Sequence, residues 1–270
     1  MVTYIGEDWI AILITALIML GTTIGLYFLL RNKSDKIKNI PLIVVTGLIV
    51  GLEITKQILG WTSFIDGTGG LFFLPFHICS MIIFAPFLAS ILKRGSKTWG
   101  IFFALALMVT IMSSISMYVA PRQIISGSAS NIFRPGCNFF EYHTFFFHSL
   151  AAMFIMLVVA FKPYKPTFKD ILYAGCIYIG YMVVSAIMAN ILDTNFARFL
   201  DFGGLGGFDV IRGPSGHDNL FWFALIVLII YSIVMVICGL ITYYSPKLYY
   251  LVFKKKQTKE TKKDSVENKQ

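Results

Sequence analysis

A chain of 270 residues that is 57% hydrophobic, with a mean hydropathy of +0.74, is too apolar for an ordinary soluble domain and reads as a polytopic membrane protein. Its formal net charge of +9 forms no single basic face, because Lys and Arg fall in alternate loops between apolar runs. The composition therefore excludes a nucleic-acid binder and predicts an all-α protein whose partners are membrane lipids, with no cofactor.

Seven segments are long enough to cross a bilayer as helices: roughly 8–30, 40–59, 71–92, 99–120, 139–161, 170–192 and 220–244. Eighteen Lys and Arg lie in 31–39, 93–97, 162–169 and 247–269, against four in the alternate loops (Arg122, Arg134, Arg198 and Arg212). The positive-inside rule then places the N-terminus outside and the C-terminus in the cytoplasm of a multi-pass cell-membrane protein. Glu7 and Asp8 precede the first apolar run, so no cleavable signal is expected. Residues 1–250 form one seven-helix transmembrane domain, and the basic tail 251–270 is expected to be disordered near anionic lipid.

The first two helices carry Gly21, Gly25, Gly47 and Gly51 at the small-xxx-small spacing that predicts close helix packing. In the outer half of helix 2, Glu53, Lys56 and Gln57 stand at i, i+3 and i+4 on one face. A carboxylate and an ammonium at that depth should pair, either as an interface anchor or as the wall of a polar cavity.

Helix 3 opens Leu-Pro-Phe-His-Ile-Cys-Ser over residues 74–80. Pro75 suits the first helical position, so the helix is expected to start there, which puts Cys79 near a helix N-terminus that favours thiolate. His77 and Cys79 are then about 200° apart on an ideal helix, and one of them needs partners from elsewhere. Taken alone, Cys79 also fits a small buried hydrophobe and His77 a polar residue at headgroup level. Helix 4 ends with Ser113, Ser114 and Ser116, hydroxyls that ordinarily bond back to their own helix.

Helix 5 begins Asn-Phe-Phe-Glu-Tyr-His-Thr-Phe-Phe-Phe-His-Ser at residue 138. Asn138, Glu141 and His148 share one stripe, with His143 turned away from it. Its entry from outside sets His148 roughly 15 Å deep, a depth that Cys79 can meet. Helix 6 is apolar until Asn190 and Asp193, and the loop 193–219 with Gly203, Gly204, Gly206 and Gly207 resembles a nucleotide loop only superficially, since no strand precedes it. Nearly every polar residue within the spans (Glu53, Lys56, Gln57, His77, Cys79, Glu141, His148 and Asn190) lies in the outer half, which predicts an outward-opening polar cavity.

LPFHICS, the helix 5 pattern ending in His148, KPTFKDIL and TNFARFL together resemble the YwaF family of bacterial integral membrane proteins over residues 53–200. That family is similar to a eukaryotic group of transmembrane acyltransferases acting on phospholipids through a cysteine and a histidine. The resemblance implies a seven-helix fold, Cys79 as nucleophile and His148 as base. The chemistry is coherent on its own terms, because a thiol with a neutral imidazole in reach can take an acyl group and pass it to a lipid hydroxyl or amine. Glu141 is expected to orient His148, while Glu53, Lys56, Gln57, His77 and Asn190 are expected to bind substrate.

Other readings use the same residues. A small-solute or lipid carrier or receptor would use the cavity for binding, and an assembly protein would need none of these side chains. A metal site on His77, Cys79, His143 and His148 has plausible ligand types at poor helical spacing. A disulfide between Cys79 and Cys137 competes with catalysis by Cys79, although their expected depths separate the two Cα atoms.

Overall fold

Apolar residues run all round most of these helices, so tertiary packing rather than amphipathy decides which helix is central. The computed structural model describes residues 6–62, 74–119, 139–161, 164–200 and 220–267, and within them every regular element is helical. The seven α-helices are α1 (Gly6–Leu30), α2 (Asp35–Thr62), α3 (Met81–Ile91), α4 (Lys97–Val119), α5 (Phe139–Phe161), α6 (Phe168–Ile191) and α7 (Leu220–Glu267). Short 3-10 turns precede α3 (Ile78–Ser80) and follow α6 (Phe196–Arg198).

Six of these helices are long and apolar enough to cross a membrane; the shorter one is α3, which with its 3-10 turn covers Ile78–Ile91. α4 is the centre, with 72% of its apolar window buried against 22% for α1, α6 and α7. It packs against α3, α5, α6 and α7, while α2 packs against α3 and α5. Every residue from Phe103 to Val109 is buried, so α4 has no outward face along that stretch. α1 lies at the edge, held to α5 and the end of α4 through Ala11, Ile12, Met117 and Phe145. Leu13, Leu17, Ile18 and Phe28 point away from the bundle, an apolar surface that suits lipid and not water.

One end of the bundle is locked by polar contacts among three turns. Gly95, at φ +79°, makes the left-handed step after α3, and the Ser96 hydroxyl then accepts the Trp99 amide N–H at 3.1 Å as N-cap of α4. The Trp99 indole N–H donates to the Ala89 carbonyl at 2.9 Å, tying α4 to α3. Thr167 and Asp170 form a capping box at the start of α6, and the Tyr164 hydroxyl donates to Asp170 Oδ2 at 2.5 Å. Partial burial and the neighbouring carboxylate push the Tyr164 phenol well above its ordinary range. Its ring stands edge-on to Trp99 at 4.6 Å and to Phe103 at 5.6 Å. Arg94 donates to the Asp35 carbonyl at 3.4 Å, so the basic turns before α2, α4 and α6 gather at this end.

Three expectations change. Helix 3 does not begin at Pro75: His77 is extended (φ −75°, ψ 153°), and helical geometry starts at Ile78. The Tyr181 hydroxyl of α6 stands 2.8 and 2.6 Å from the Pro75 and His77 carbonyls and shares its one proton between them, while the His77 carbonyl also accepts the Ser80 N–H at 2.9 Å, the bond that closes the 3-10 turn. Gly21, Gly25, Gly47 and Gly51 do not mediate packing within the chain, since a Cβ at any of them would meet nothing within 4 Å. The close approaches are at Gly239, where a Cβ would lie 2.9 Å from Ile171, and at Gly100. The basic tail, expected to be disordered, continues α7 as far as Glu267. From Lys247 onward the tail has neither Gly nor Pro and is rich in Lys, Gln and Glu, residues that hold a helix well.

A Cβ on Gly100 would stand 2.7 Å from the Tyr164 hydroxyl and 3.1 Å from Asp170 Oδ1. Gly100→Ala is therefore expected to displace the Tyr164 to Asp170 hydrogen bond and cost about 1–3 kcal/mol, while Gly47→Ala is neutral or slightly stabilising. Thermal unfolding of the purified variants in one detergent checks the contrast, and equal losses would refute this account of Gly100.

Candidate functional site

At the opposite end, α2, α4 and α6 finish while α3 and α5 begin, and the unusual polar residues collect there. The i, i+3, i+4 spacing on α2 brings Lys56 Nζ to 2.7 Å from Glu53 Oε1, and the Gln57 amide donates to the same oxygen at 2.7 Å. Glu53 is 6% exposed, so both contacts are made inside the bundle. Its second oxygen, Oε2, lies 3.3 Å from Nε2 of His143 on α5. At that distance from a carboxylate Nε2 must carry the proton, because two lone pairs would repel. Yet the N–H direction misses the oxygen, and this buried atom makes no aligned hydrogen bond.

His143 and His148 are five residues apart, about 140° around an ideal helix, so α5 presents one imidazole to α2 and the other to α4. Nδ1 of His148 is hydrogen-bonded to Ser113 Oγ, both residues being 5% exposed. Ser114 bonds back to the Thr110 carbonyl at 2.7 Å, as mid-helix hydroxyls ordinarily do; Ser113 does not follow that habit. The orienting contact expected from Glu141 is thus made by Ser113. Glu141 is half-buried and begins about 10.5 Å further along the helix axis, with its side chain tilted toward the N-terminus, away from His148.

Cys79 sits in the 3-10 turn before α3, half-buried, with Lys56 and Glu53 as its charged neighbours. The neighbours of His148 are His143 and, again, Lys56. One ammonium therefore lies within electrostatic reach of the thiol and of both imidazoles. His77 has an extended backbone, and its ring stands edge-on to Phe196 at 5.5 Å. Asn190 does not join the group: it is on the exposed side of α6, and its amide donates to the Ala186 carbonyl at 2.8 Å. Cys137, the proposed disulfide partner of Cys79, and Asn138 lie outside the described residues. Among the described residues no three His, Cys, Asp or Glu are arranged to hold a metal ion.

Sequence reasoning missed His143, Ser113 and Tyr181. A buried carboxylate on α2 demanded a partner beyond its own helix, and that demand was the available signal for His143. Nothing in the spacing of Ser113 or Tyr181 separates them from ordinary helix hydroxyls.

With side-chain exposures of 8% and 14%, the Glu53 and Lys56 pair is shielded from solvent. Glu53→Gln or Lys56→Met alone leaves a buried charge unbalanced and is expected to cost about 3 kcal/mol or more, whereas the double variant costs less than either. A double-mutant cycle by thermal unfolding measures this, and equal losses from single and double variants would overturn it.

No curated protein and no solved structure matches the chain. The sequence model of the TMEM164 family matches residues 4–241, which takes in α1 to α6 and the first part of α7. Nearly the whole helical bundle, with the polar cluster inside it, falls within the match, and the chain belongs to the TMEM164 family of transmembrane proteins.

Proposed function

We propose that this protein is a membrane-embedded acyltransferase that uses Cys79 as nucleophile and His148 as base on lipids entering from the outer leaflet. The observation that carries the reading is buried His148, fixed at Nδ1 by Ser113 Oγ at the end of the bundle where the Cys79 turn opens α3. In the tautomer that donates Nδ1–H to Ser113, Nε2 retains its lone pair for the thiol proton.

In the first half-reaction the Cys79 proton passes to His148, sulfur bonds to the ester carbonyl carbon, and the carbon–oxygen bond breaks. The leaving lysolipid oxygen takes the proton back. In the second, an acceptor hydroxyl gives its proton to His148, its oxygen bonds to the thioester carbon, and the carbon–sulfur bond breaks. The departing thiolate recovers the proton.

The seventh crossing is made by α3 with its approach. Helical rise gives about 22 Å over Ile78–Ile91, and the turn at residues 74–77 carries the chain on toward the rest of a hydrocarbon core of about 30 Å. Irregular backbone at that depth is tolerated because it is held by Tyr181 rather than exposed to lipid. The charge bias of the loops then sets the N-terminus and the Cys79 end outside.

In a strain lacking the protein, wild type is expected to restore the lipid acyl profile, and Cys79→Ala and His148→Ala are expected to fail at equal abundance. Restoration by Cys79→Ala would remove the enzyme reading and favour a carrier or assembly role. In a cysteine-free background, an impermeant maleimide on intact cells is expected to label Asp193→Cys and spare Lys165→Cys; the reverse pattern would invert the topology.

A further inference from the structure

Tyr178, Tyr181, Met182 and Ser185 recur at i, i+3, i+4 and i+7 and form the inward stripe of α6, with Tyr178, Met182 and Ser185 fully buried. The Tyr178 hydroxyl donates to Met112 Sδ on α4 at 3.6 Å. Met112 directly precedes Ser113, whose hydroxyl holds Nδ1 of His148. Tyr181 is three residues further on, about 4.5 Å along the helix axis, and its hydroxyl stands 2.8 Å from the Pro75 carbonyl and 2.6 Å from the His77 carbonyl. Less than one turn of α6 therefore separates the contact beside the imidazole's anchor from the contact at the Cys79 turn.

The phenol grips the chain on both sides of Cys79. The His77 carbonyl that faces it also accepts the Ser80 N–H at 2.9 Å, so the turn containing Cys79 is closed on the same oxygen that Tyr181 holds. The Ser80 side chain, 2% exposed and not used as a helix cap, is a further hydrogen-bonding neighbour of the phenol. Pro75 is itself compatible with a regular helical start, so the extended His77 and the 3-10 turn after it are held from α6 rather than by local preference. Winding this segment regularly would change both the height and the direction of the Cys79 side chain, because α geometry advances about 1.5 Å and 100° per residue, against about 2.0 Å and 120° in a 3-10 turn.

We propose that Tyr181 is the positioning residue for Cys79: its hydroxyl pins residues 75–80 to α6 and so sets the register of the thiol to His148. That the register serves acyl transfer rests on the acyltransferase reading; the positioning itself does not. α6 then acts as the gauge between the two side chains, since Tyr178 ties it to α4 beside Ser113 and Tyr181 ties it to the Cys79 turn.

The test uses the full-length protein in phospholipid nanodiscs, carrying Cys137→Ala, Cys176→Ala and Cys238→Ala, and follows labelling of Cys79 by methyl methanethiosulfonate across pH by intact-protein mass. Lys56 and Glu53, the charged neighbours of Cys79, are present throughout. His148→Ala is expected to be labelled more slowly than this parent at pH 7 and to converge with it at alkaline pH, where the thiol ionises without a base. Tyr181→Phe keeps the ring and removes the hydroxyl. It is expected to be about tenfold slower at pH 7 and to converge likewise, and adding His148→Ala to it should cost nothing further, because a thiol out of register has no base to lose. Tyr164→Phe, which removes a phenol hydroxyl at the opposite end, is expected to lower thermal stability and leave the pH profile unchanged. A parent-like profile in Tyr181→Phe overturns the proposal, as does a fall by one factor at every pH, an additive double variant or an equal shift from Tyr164→Phe. Should Tyr181→Phe not fold, Ser80→Ala is expected to shift the profile in the same direction, and a parent-like profile there overturns the proposal. If His148→Ala matches its parent, the Cys79 and His148 pairing fails instead; a Tyr181→Phe profile that differs from the parent then still supports positioning by the phenol, and an unchanged one overturns it.

Discussion

A carboxylate inside an apolar bundle has to draw from its neighbours the charge and the donors that water would otherwise provide, and Glu53 imposes that condition on two helices at once. Its own helix meets part of the demand through Lys56 and Gln57. α5 answers by turning His143 toward α2, with Nε2 at 3.3 Å from the second oxygen. That rotation has a consequence one and a half turns later, because His148 is then carried about 140° round the helix toward α4. Ser113 meets it there. The pairing of α5 with α4 at this level thus follows from the neutralisation of a charge on α2.

The Cys79 turn depends on a different contact of the same kind. A hydroxyl from α6 occupies the Pro75 and His77 carbonyls, and the chain enters α3 through an extended residue and a 3-10 turn rather than a regular helical end. Phe196, fully buried after α6, closes over the same segment against Phe76 and His77. Its own turn contains Ala197 in the left-handed region at φ +50°, a conformation that costs about 1–2 kcal/mol for a residue with a Cβ. Burial of Phe196 and Phe199 on either side offsets that cost.

Hydropathy and length were enough to read the seven helices, because a segment of about 20 apolar residues has few alternatives. The i, i+3, i+4 pairing of Glu53, Lys56 and Gln57 was equally legible, since it depends on one helix alone. What sequence could not show depends on how helices rotate against each other. Whether a glycine pair meets another helix or lipid is decided by that rotation, and Gly21, Gly25, Gly47 and Gly51 came out facing away from the bundle. The same holds for Ser113 and Tyr181, whose hydroxyls differ from Ser114 only in what stands opposite them. Pro75 misled for a local reason: it is compatible with a helix start, but compatibility does not outweigh the Tyr181 hydroxyl of α6 set against the Pro75 and His77 carbonyls.

The two ends of the bundle differ in how completely their polar groups are paired. At the basic end the polar groups are closed in pairs and boxes: Asp170 accepts from Tyr164 and Thr167, and Trp99 finds the Ala89 carbonyl. Those contacts join α3, α4 and α6 without involving the polar cluster at the other end. Because α4 runs the whole distance and is buried on all sides from Phe103 to Val109, the lock at its first turn also fixes the height of Ser113 at its far end. The Cys79 end can then carry an irregular turn, a left-handed alanine and an unaligned imidazole, because the register of the helices that hold them is set elsewhere.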